Sequence, residues 1–343
     1  MTDDLIIGGK TIKRGERKRI FIDVAKLYDF TDMNIPIEVI RGEKDGPIMF
    51  ISGAIHGDEI NGVEIVRQIL SKKSLKNIRG TLIAVPIVNV FGFNTKSRYL
   101  PDRRDLNRNF PGSQKGSLTG QLAHIFMKEI VEKCTHGIDF HCAATHRINL
   151  PQIRACLENP QVKSMAEAFS VPVIMDAELR KGSLREAAWN LKIPILLFEG
   201  GEALRFNGKV IKSAVQGTIS VMREIGMLPP LKNPPKPKES FVAHSSHWLR
   251  APHSGILSIK KRIGDRVKKG QVMGIISSPF GHDKHEILAR RTGIIVGAAI
   301  MPLLNKGDAV FHVATFENAS TVEEHVDMFE EFLDEGDGAR FID

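Results

Sequence analysis

Three short apolar segments limit the fold of this chain more than any other feature. They lie at residues 47–52, 137–140 and 193–198, and a glycine or a reactive polar side chain follows each of them closely. Runs of this kind are typical of strands buried inside a sheet. After the first run, apolar residues at positions 60, 63, 66 and 69 or 70 recur with helical spacing. The sequence therefore predicts an α/β fold in which strand, loop and helix follow one another.

Potential metal ligands stand at two of these strand ends. His56 and Glu59 follow the first run, and His141 ends the second. Ligands of open α/β sheets collect at the carboxyl ends of strands, so we expect these side chains to meet. Two imidazoles and a carboxylate suit zinc and leave one coordination position for a water whose pKa falls to roughly 7. About one His-x-x-Glu is expected by chance in such a chain, so the strand context carries this prediction.

Other histidines have simpler interpretations. His124 falls in an amphipathic helix pattern, and His136 and His146 flank the second strand; the remaining pairs are His244/His247 and His282/His285, in polar loops of the distal part. Asp139 is a different candidate, since it could accept a hydrogen bond from a ligand histidine and fix its tautomer.

Glu199 directly follows the third apolar run and precedes two glycines. A carboxylate at the end of a buried strand is costly without a task, and hydrolysis by a zinc-bound water needs a group that accepts the water's proton. We predict that Glu199 is this base. The alternative is a structural glutamate paired with an arginine.

The segment 98–112 contains four arginines without periodicity, which indicates an ordered loop. Guanidinium groups bind carboxylates and stabilise negative charge on a carbonyl oxygen. We expect Arg108 with Asn107 to bind a substrate carboxylate and Arg98 to face the oxyanion. The alternative is a solvated basic loop or a nucleic-acid patch, although Tyr99 and Phe110 are its only aromatic residues. Arg154, Arg180 and Arg185 are further candidates for selectivity.

Four motifs in this order resemble the succinylglutamate desuccinylase/aspartoacylase family, which belongs with the zinc carboxypeptidases. The motifs are His56-Gly57-Asp58-Glu59, Asp105-Leu106-Asn107-Arg108-Asn109-Phe110-Pro111-Gly112, Ile138-Asp139-Phe140-His141 and Phe198-Glu199-Gly200-Gly201. The similarity spans roughly residues 30 to 228.

The resemblance implies a three-layer α/β/α fold with a mixed sheet and one zinc ion per subunit on His56, Glu59 and His141. It also implies Glu199 as the base, Asn107 and Arg108 as substrate ligands, and Arg98 as the residue that polarises the carbonyl, with Arg103 on the same loop as the alternative. The chain has two tyrosines, Tyr28 and Tyr99, and neither lies where peptidase relatives carry a substrate-binding tyrosine. This departure favours small acylated substrates.

Composition agrees with an enzyme of the cytoplasm. The chain has 343 residues, of which 42% are hydrophobic, and can bury more than one core. No apolar run reaches the roughly 18 residues of a membrane span, and the amino terminus lacks the features of a signal peptide. Three cysteines in a chain of this length suggest reduced thiols. We expect no membrane partner.

Charge is distributed unevenly along the chain. The net charge is +8, yet residues 318–343 hold nine acidic side chains and one arginine. A basic body suits anionic substrates or non-specific polyanion contact. The acidic tail carries Val322, Val326, Phe329 and Leu333 at helical spacing, so it is either a short amphipathic helix on the basic body or a frayed end.

A proline-rich stretch divides the chain. We predict a zinc-dependent catalytic domain over residues 1–228, a linker over 229–240, a small β domain over 241–317 and the acidic tail over 318–343. Ala251–Leu257 recurs as Ala289–Ile295, and Gly264-Asp265 recurs as Gly307-Asp308. This part resembles biotinyl/lipoyl-like barrel-sandwich domains. Lys284 lacks the setting of a carrier lysine, so we predict no prosthetic group. A separate hypothesis is that the domain borders the active-site mouth and limits substrate size, or makes an oligomer contact.

The function that follows is a zinc-dependent amidohydrolase that removes an acetyl, succinyl or similar group from the nitrogen of an amino acid or related small amine. Its partner is a small anionic N-acylated substrate, with homo-oligomerisation left open and no specific nucleic acid expected. The alternatives are a metallocarboxypeptidase acting on small peptides and a non-catalytic protein that binds a protein or nucleic acid.

Overall fold

The computed structural model describes residues 5–232 and 239–334. In the first range the strands are β1 (Leu5–Ile7), β2 (Lys10–Ile12), β3 (Arg17–Lys26), β4 (Asp32–Arg41), β5 (Lys44–Gly53), β6 (Arg79–Val85), β7 (His136–Ala143), β8 (Arg147–Ala155), β9 (Val173–Asp176) and β10 (Ile195–Glu202). The helices there are α1 (Asn61–Leu70), α2 (Val90–Thr95), α3 (Leu118–Glu129), α4 (Pro160–Phe169), α5 (Leu184–Asn190) and α6 (Gly208–Glu224). Short 3₁₀ turns lie at Lys73–Asn77, Leu106–Arg108 and Val131–Lys133.

The second range is mainly β. Its strands are β11 (Phe241–Ala243), β12 (Ser245–Arg250), β13 (Gly255–Ile259), β14 (Arg266–Val267), β15 (Val272–Ser277), β16 (Lys284–Leu288), β17 (Gly293–Ala299), β18 (Leu303–Leu304) and β19 (Ala309–Thr315). Helix α7 (Ala319–Asp334) follows them.

A large mixed sheet forms the centre of the molecule. Strands β6, β5, β7 and β10 lie side by side and parallel, β4 and β3 extend the sheet antiparallel beyond β6, and β8 pairs antiparallel with β10. The predicted mixed-sheet α/β class is thus confirmed.

Helices cover both faces of this sheet. Met49 and Ile51 of β5 point into a core shared with α1, α4 and α6, whereas Phe50 between them points into a core shared with α2, α3 and α5. Successive residues of a strand alternate between faces, so a strand that is buried on both sides must be apolar throughout. This is why the strand segments read as continuous apolar runs and why three layers result.

Local sequence explains where the helices begin. Asn159 precedes α4, and its side chain accepts hydrogen bonds from the backbone N–H groups of Gln161 and Val162, while Pro160 occupies the first turn. Asn207 caps α6 in the same way through Val210. Side-chain oxygens at this position satisfy N–H groups that have no partner within the helix.

The C-terminal β part joins the same sheet. Strand β17 pairs antiparallel with β8, β19 pairs with β17, and β12 pairs with β19. A separate antiparallel sheet has the order β16-β15-β13-β18. The two copies of the sequence repeat form the same turn. Gly264 and Gly307 both have positive φ (91° and 93°). The aspartate after each glycine, Asp265 or Asp308, accepts a hydrogen bond from the backbone N–H three residues upstream of it.

The boundaries at 228, 241 and 317 stay predictions, and residues 233–238 of the proline-rich linker and 335–343 of the acidic tail lie outside the described residues. The described part of the tail is helix α7, and its residues Val322, Val326, Phe329 and Leu333 are buried. Within the described ranges, no helix has both the length and the apolar character needed to cross a membrane.

Candidate metal centre and active site

The loop between β5 and α1 places His56 and Glu59 beside the end of β7. A tight approach of two glycine-containing segments shapes this loop, since a Cβ at Gly57 would lie 1.9 Å from the backbone carbon of Gly92. Only glycine allows the two backbone segments to approach this closely. Strand β7 runs parallel to β5 and brings His141 to the same edge of the sheet.

The three side chains converge on one point. Nδ1 of His56 lies 2.7 Å from Oε1 of Glu59, and Nδ1 of His141 lies 2.7 Å from Oε2 of the same carboxylate. One ligand atom from each residue lies within 4.8 Å of the other two, and all three side chains are buried. Two imidazole nitrogens and a carboxylate at this spacing could hold a metal ion, and these donor types fit zinc.

Each histidine turns its other ring nitrogen toward an aspartate. Nε2 of His56 lies 3.1 Å from Asp105, and Nε2 of His141 lies 2.6 Å from Asp139, whose other oxygen accepts from the hydroxyl of Ser52. Such carboxylates fix the tautomer in which Nδ1 is free to bind a metal. Asp139 was considered from the sequence, but Asp105 was not, because it lies in an irregular loop 49 residues from His56.

The carboxylates around the two histidines stabilise positive charge at this point. Burial opposes a charged His56, but Glu59 and Asp105 hold its pKa above the ordinary value. In the same way Asp139 and Glu59 outweigh burial and raise the pKa of His141. Burial alone would raise the pKa of Glu59, yet the two histidines hold it well below its usual range. A bound dication would be stabilised by the same carboxylates that stabilise the protons.

Arg98 lies directly beside the three ligand candidates. Its Nη1 lies 3.2 Å from Oε1 of Glu59, and its Nη2 donates to Asp105 at 2.9 Å. Arg103, the alternative from the sequence, is exposed, has a positive φ of 59° and does not line the cavity around the site. Arg98 therefore lies beside the ligand candidates and Arg103 does not, and the role of Arg98 toward a carbonyl oxygen stays a prediction.

The 3₁₀ turn at Leu106–Arg108 brings Asn107 and Arg108 to the cavity wall. Asp105 caps this turn by accepting from the backbone N–H of Asn107. The side-chain oxygen of Asn107 accepts from the backbone N–H of Leu184, so Asn107 also holds the start of α5. The guanidinium of Arg108 donates to the backbone oxygen of Asn107, and among the described residues it has no ion pair with a carboxylate.

Glu199 stands on β10 between two neighbouring strands. It is opposite His141 of β7 on one side and opposite Gln152 of β8 on the other. Its carboxylate accepts from Nδ2 of Asn149 at 2.9 Å and lies 3.8 Å from Nε of Arg154. The sequence did not indicate Asn149, because strand β8 carries no motif.

Comparison with known proteins identifies the family of this chain. A family model described as the succinylglutamate desuccinylase/aspartoacylase catalytic domain matches residues 45–225, which is more than half of the chain. The chain belongs to this family.

The similarity to individual relatives extends over more than four fifths of this chain. The N-alpha-acetyl-L-2,4-diaminobutyric acid deacetylase of Halomonas elongata is 26% identical over 82% of this chain and 85% of its own length. The product-bound ectoine utilization protein EutE (DoeB) of Ruegeria pomeroyi has a TM-score of 0.80 at 24% identity, covering 88% and 96% of the two chains. A succinylglutamate desuccinylase/aspartoacylase of Rhodobacter sphaeroides has a TM-score of 0.79 at 23% identity, covering 88% and 97%. At such identities the solved structures establish the fold.

The cavity of this family member has a volume of about 360 Å³ and a strongly basic wall. Besides Arg98, the lining includes Arg108, Arg147, Arg154, Arg180, Arg185 and Arg250. Its only carboxylates are Glu59 and Glu199 among the described residues. Burial and the nearby Arg154 lower the pKa of Arg185 to about 10, and burial with Arg154 and Arg108 lowers that of Arg180. A bound anion would relieve the repulsion among these cations.

The other histidines do not form a second centre. Among the described residues, His56, Glu59 and His141 are the one group of three that could hold a metal ion. His124 lies in α3, His136 begins β7, and His146 lies in the turn before β8. In the β part, the ring of His285 stacks on His253 with centroids 3.6 Å apart, and His247 lies on β12.

Proposed function

We propose that this protein is a zinc-dependent amidohydrolase that removes an N-acyl group from an amino acid or related small amine. The single observation that carries the proposal is the convergence of His56, Glu59 and His141 at one sheet edge, with Glu199 opposite His141 on the neighbouring strand. The family and the deacetylase relative support the same reaction class. We expect the cytoplasm as its compartment, since all three cysteines are free.

The donor set fits zinc, and each residue has a defined part in the reaction. A zinc ion held by His56, Glu59 and His141 would supply a Lewis acid for the acyl carbonyl and lower the pKa of water to near 7. Glu199 accepts the proton of the attacking water and returns it to the departing amine nitrogen. Asn149 keeps the carboxylate of Glu199 oriented by donating to Oε2.

The arginines define where the substrate lies. Asn107 and Arg108 bind the carboxylate of the amino acid, and Arg98 donates to the carbonyl oxygen as negative charge develops on it. Arg154, Arg180 and Arg185 also line the cavity, and Arg185 donates to the backbone oxygens of Ala177 and Glu178. Among the described residues, none of the three has a carboxylate partner closer than the 3.8 Å contact of Arg154 with Glu199. We therefore propose a substrate with a second negative charge, in contrast to the ammonium-bearing substrate named for the Halomonas relative.

The first test is metal content together with a substitution of the base. Purified protein should contain one zinc per chain by elemental analysis. Glu199→Gln should keep the zinc but lose about two to four orders of magnitude in rate. Glu202→Gln is the matched control, because Glu202 lies on the same strand but outside the cavity. Full activity of Glu199→Gln would reject its role as the base.

The second test is a panel of acetylated and succinylated amino acids with acidic, neutral and basic side chains, together with dipeptides, read by release of free amine. Charge-assisted hydrogen bonds to arginine favour the acidic members, so their kcat/KM should exceed that of N-acetyl-2,4-diaminobutyrate by about 10- to 100-fold. A preference for dipeptides would identify a carboxypeptidase. A preference for the basic side chain would contradict the proposed second charge.

A further inference from the structure

Two strands of the C-terminal β part extend to the active-site cavity. Trp248 and Arg250 of β12 and Ala309 of β19 line it, together with residues of the catalytic part. Strand β12 pairs with β19, which pairs with β17, which pairs with β8. Strand β8 carries Asn149, the partner of Glu199. Trp248 is therefore connected to the catalytic carboxylate through one continuous hydrogen-bonded sheet.

Trp248 is held firmly by its neighbours. It lies opposite His312 in the β12–β19 pair, and the two rings stack with centroids 4.7 Å apart and an interplanar angle of 6°. His312 is only 4% exposed, and its Nε2 lies 2.9 Å from the hydroxyl of Ser246. The guanidinium carbon of Arg147 lies 5.5 Å from the centroid of the Trp248 ring. These contacts leave the indole little rotational freedom at the cavity wall.

Trp248 is also the largest apolar group of the cavity. The other apolar residues of the wall are Cys142, Ala143, Ala144, Leu197 and Ala309, and the rest are polar or charged. A substrate whose charged groups bind the arginines must place its methylene or methyl carbons somewhere, and apolar carbon gains free energy by contact with an aromatic ring. The ring contacts of Trp248 are with His312 and Arg147.

We infer that Trp248 contacts the apolar part of the substrate and limits the length of the acyl group that the cavity accepts. This inference rests on the proposed function. It gives the C-terminal part a direct role in selecting the substrate, and it assigns that role to one side chain. Because the ring is held by His312 and Arg147, it acts as a fixed wall.

Kinetics of two variants test this role. Trp248→Ala should raise KM for the best acetylated or succinylated substrate about tenfold, with kcat changed by less than about threefold. A second comparison uses the N-hexanoyl and N-acetyl derivatives of the same amino acid. Trp248→Ala should increase kcat/KM for the hexanoyl derivative relative to the acetyl derivative by about tenfold, since removing the indole lengthens the cavity. Trp248→Phe should restore most of the KM and of the preference for short acyl groups.

A binding measurement reads the contact without any turnover. The chain has two tryptophans, and the other, Trp189 on α5, does not line this cavity. In Trp189→Phe combined with Glu199→Gln, fluorescence comes from Trp248 alone, and titration with N-acetyl-glutamate or N-succinyl-glutamate should change it in a saturable way. The matched control is the Trp248→Phe, Glu199→Gln protein. Its fluorescence comes from Trp189 and should not change during the same titration.

The outcomes separate this inference from the proposed function. If the wild type hydrolyses the panel, but Trp248 fluorescence is unchanged by the substrates and Trp248→Ala keeps the wild-type KM and acyl preference, the inference is wrong and the function stands. If no compound is hydrolysed, the proposed function fails. The titration then decides the inference by itself: saturable quenching supports the contact, and no response rejects it.

Discussion

Asp105 and Asp139 lie behind the two candidate ligand histidines. Asp105 and Asp139 accept from the outer nitrogens of the two histidines, so they direct both Nδ1 atoms inward. We predict that Asp139→Asn and Asp105→Asn each weaken zinc binding about 10- to 100-fold, measured by competition with a chromophoric chelator. Asp102→Asn is the control on the same loop, since Asp102 accepts from Thr119 instead. Equal affinity in all three variants would show that the aspartates do not orient the ligands.

His312 gives a prediction for stability against pH. Burial, with Arg154 and His247 nearby, lowers its pKa to about 3, whereas the unfolded chain has a value near 6.5. Between these values the unfolded state binds more protons, so this contribution to stability is present above pH 6.5 and is lost as the pH falls toward 3.

Between pH 6 and 5 the wild type should therefore lose about 1 kcal/mol more unfolding free energy than His312→Asn, measured by denaturant titration. The difference between the two proteins at pH 8 reports lost packing alone and serves as the reference. Parallel pH profiles would contradict the neutral state of His312.

At this scale the sequence indicated residues whose position follows from a local pattern. His56, Glu59, His141 and Glu199 each lie next to a strand that can be recognised from its apolar run, and the structure brings them together. Asp105, Asn149 and Trp248 gave no such signal, because their importance comes from contacts with distant segments. Arg98 and Arg103 could not be separated by spacing, whereas the fold separates them by exposure.

Among whole elements, helix α7 shows how the end of the described chain is attached. Its apolar stripe is buried against α6 and the C-terminal strands, and Nζ of Lys212 on α6 donates to the backbone oxygen of Leu333. Phe329→Ala should lower the free energy of unfolding by about 3–5 kcal/mol. Met328→Ala, on the exposed face of the same helix, should change it by less than about 0.5 kcal/mol. Similar losses in a denaturant titration would mean that the helix does not pack as described.

Elements were predictable where their periodicity is local. The strands predicted at 47–52, 137–140 and 193–198 lie within β5, β7 and, from residue 195, β10, and the apolar spacing of the tail gave α7. The pairing of β17 with β8 was not predicted, because it joins segments nearly 150 residues apart and no short pattern specifies it. Strands β12, β17 and β19 of the expected small β domain are thereby part of the large sheet, whereas β13, β15, β16 and β18 form a separate one.

At the scale of the whole molecule, the feature of interest is the positive charge around the cavity, which can attract an anionic substrate. The chain has a net charge of +8, and seven arginines surround a cavity with two carboxylates among the described residues. The basic composition could be read from the sequence, but its concentration in one cavity could not, since these arginines come from several separate segments. A cavity of one sign raises the local concentration of oppositely charged ligands, and salt screens this effect.

We therefore predict that kcat/KM for an N-acylated acidic amino acid falls about tenfold between 20 and 500 mM KCl. N-acetyl-2,4-diaminobutyrate, which has no net charge, should vary little over the same range, and initial rates at low substrate concentration measure both. Arg180→Gln should reduce the salt dependence of kcat/KM, because Arg180 lies in the cavity wall. Lys260→Gln is the control and should leave the salt dependence unchanged, because Lys260 is exposed on the C-terminal β part and lies outside the cavity. Equal salt dependence for the two substrates would show that the arginines bind the substrate only at short range, because long-range attraction acts on net charge.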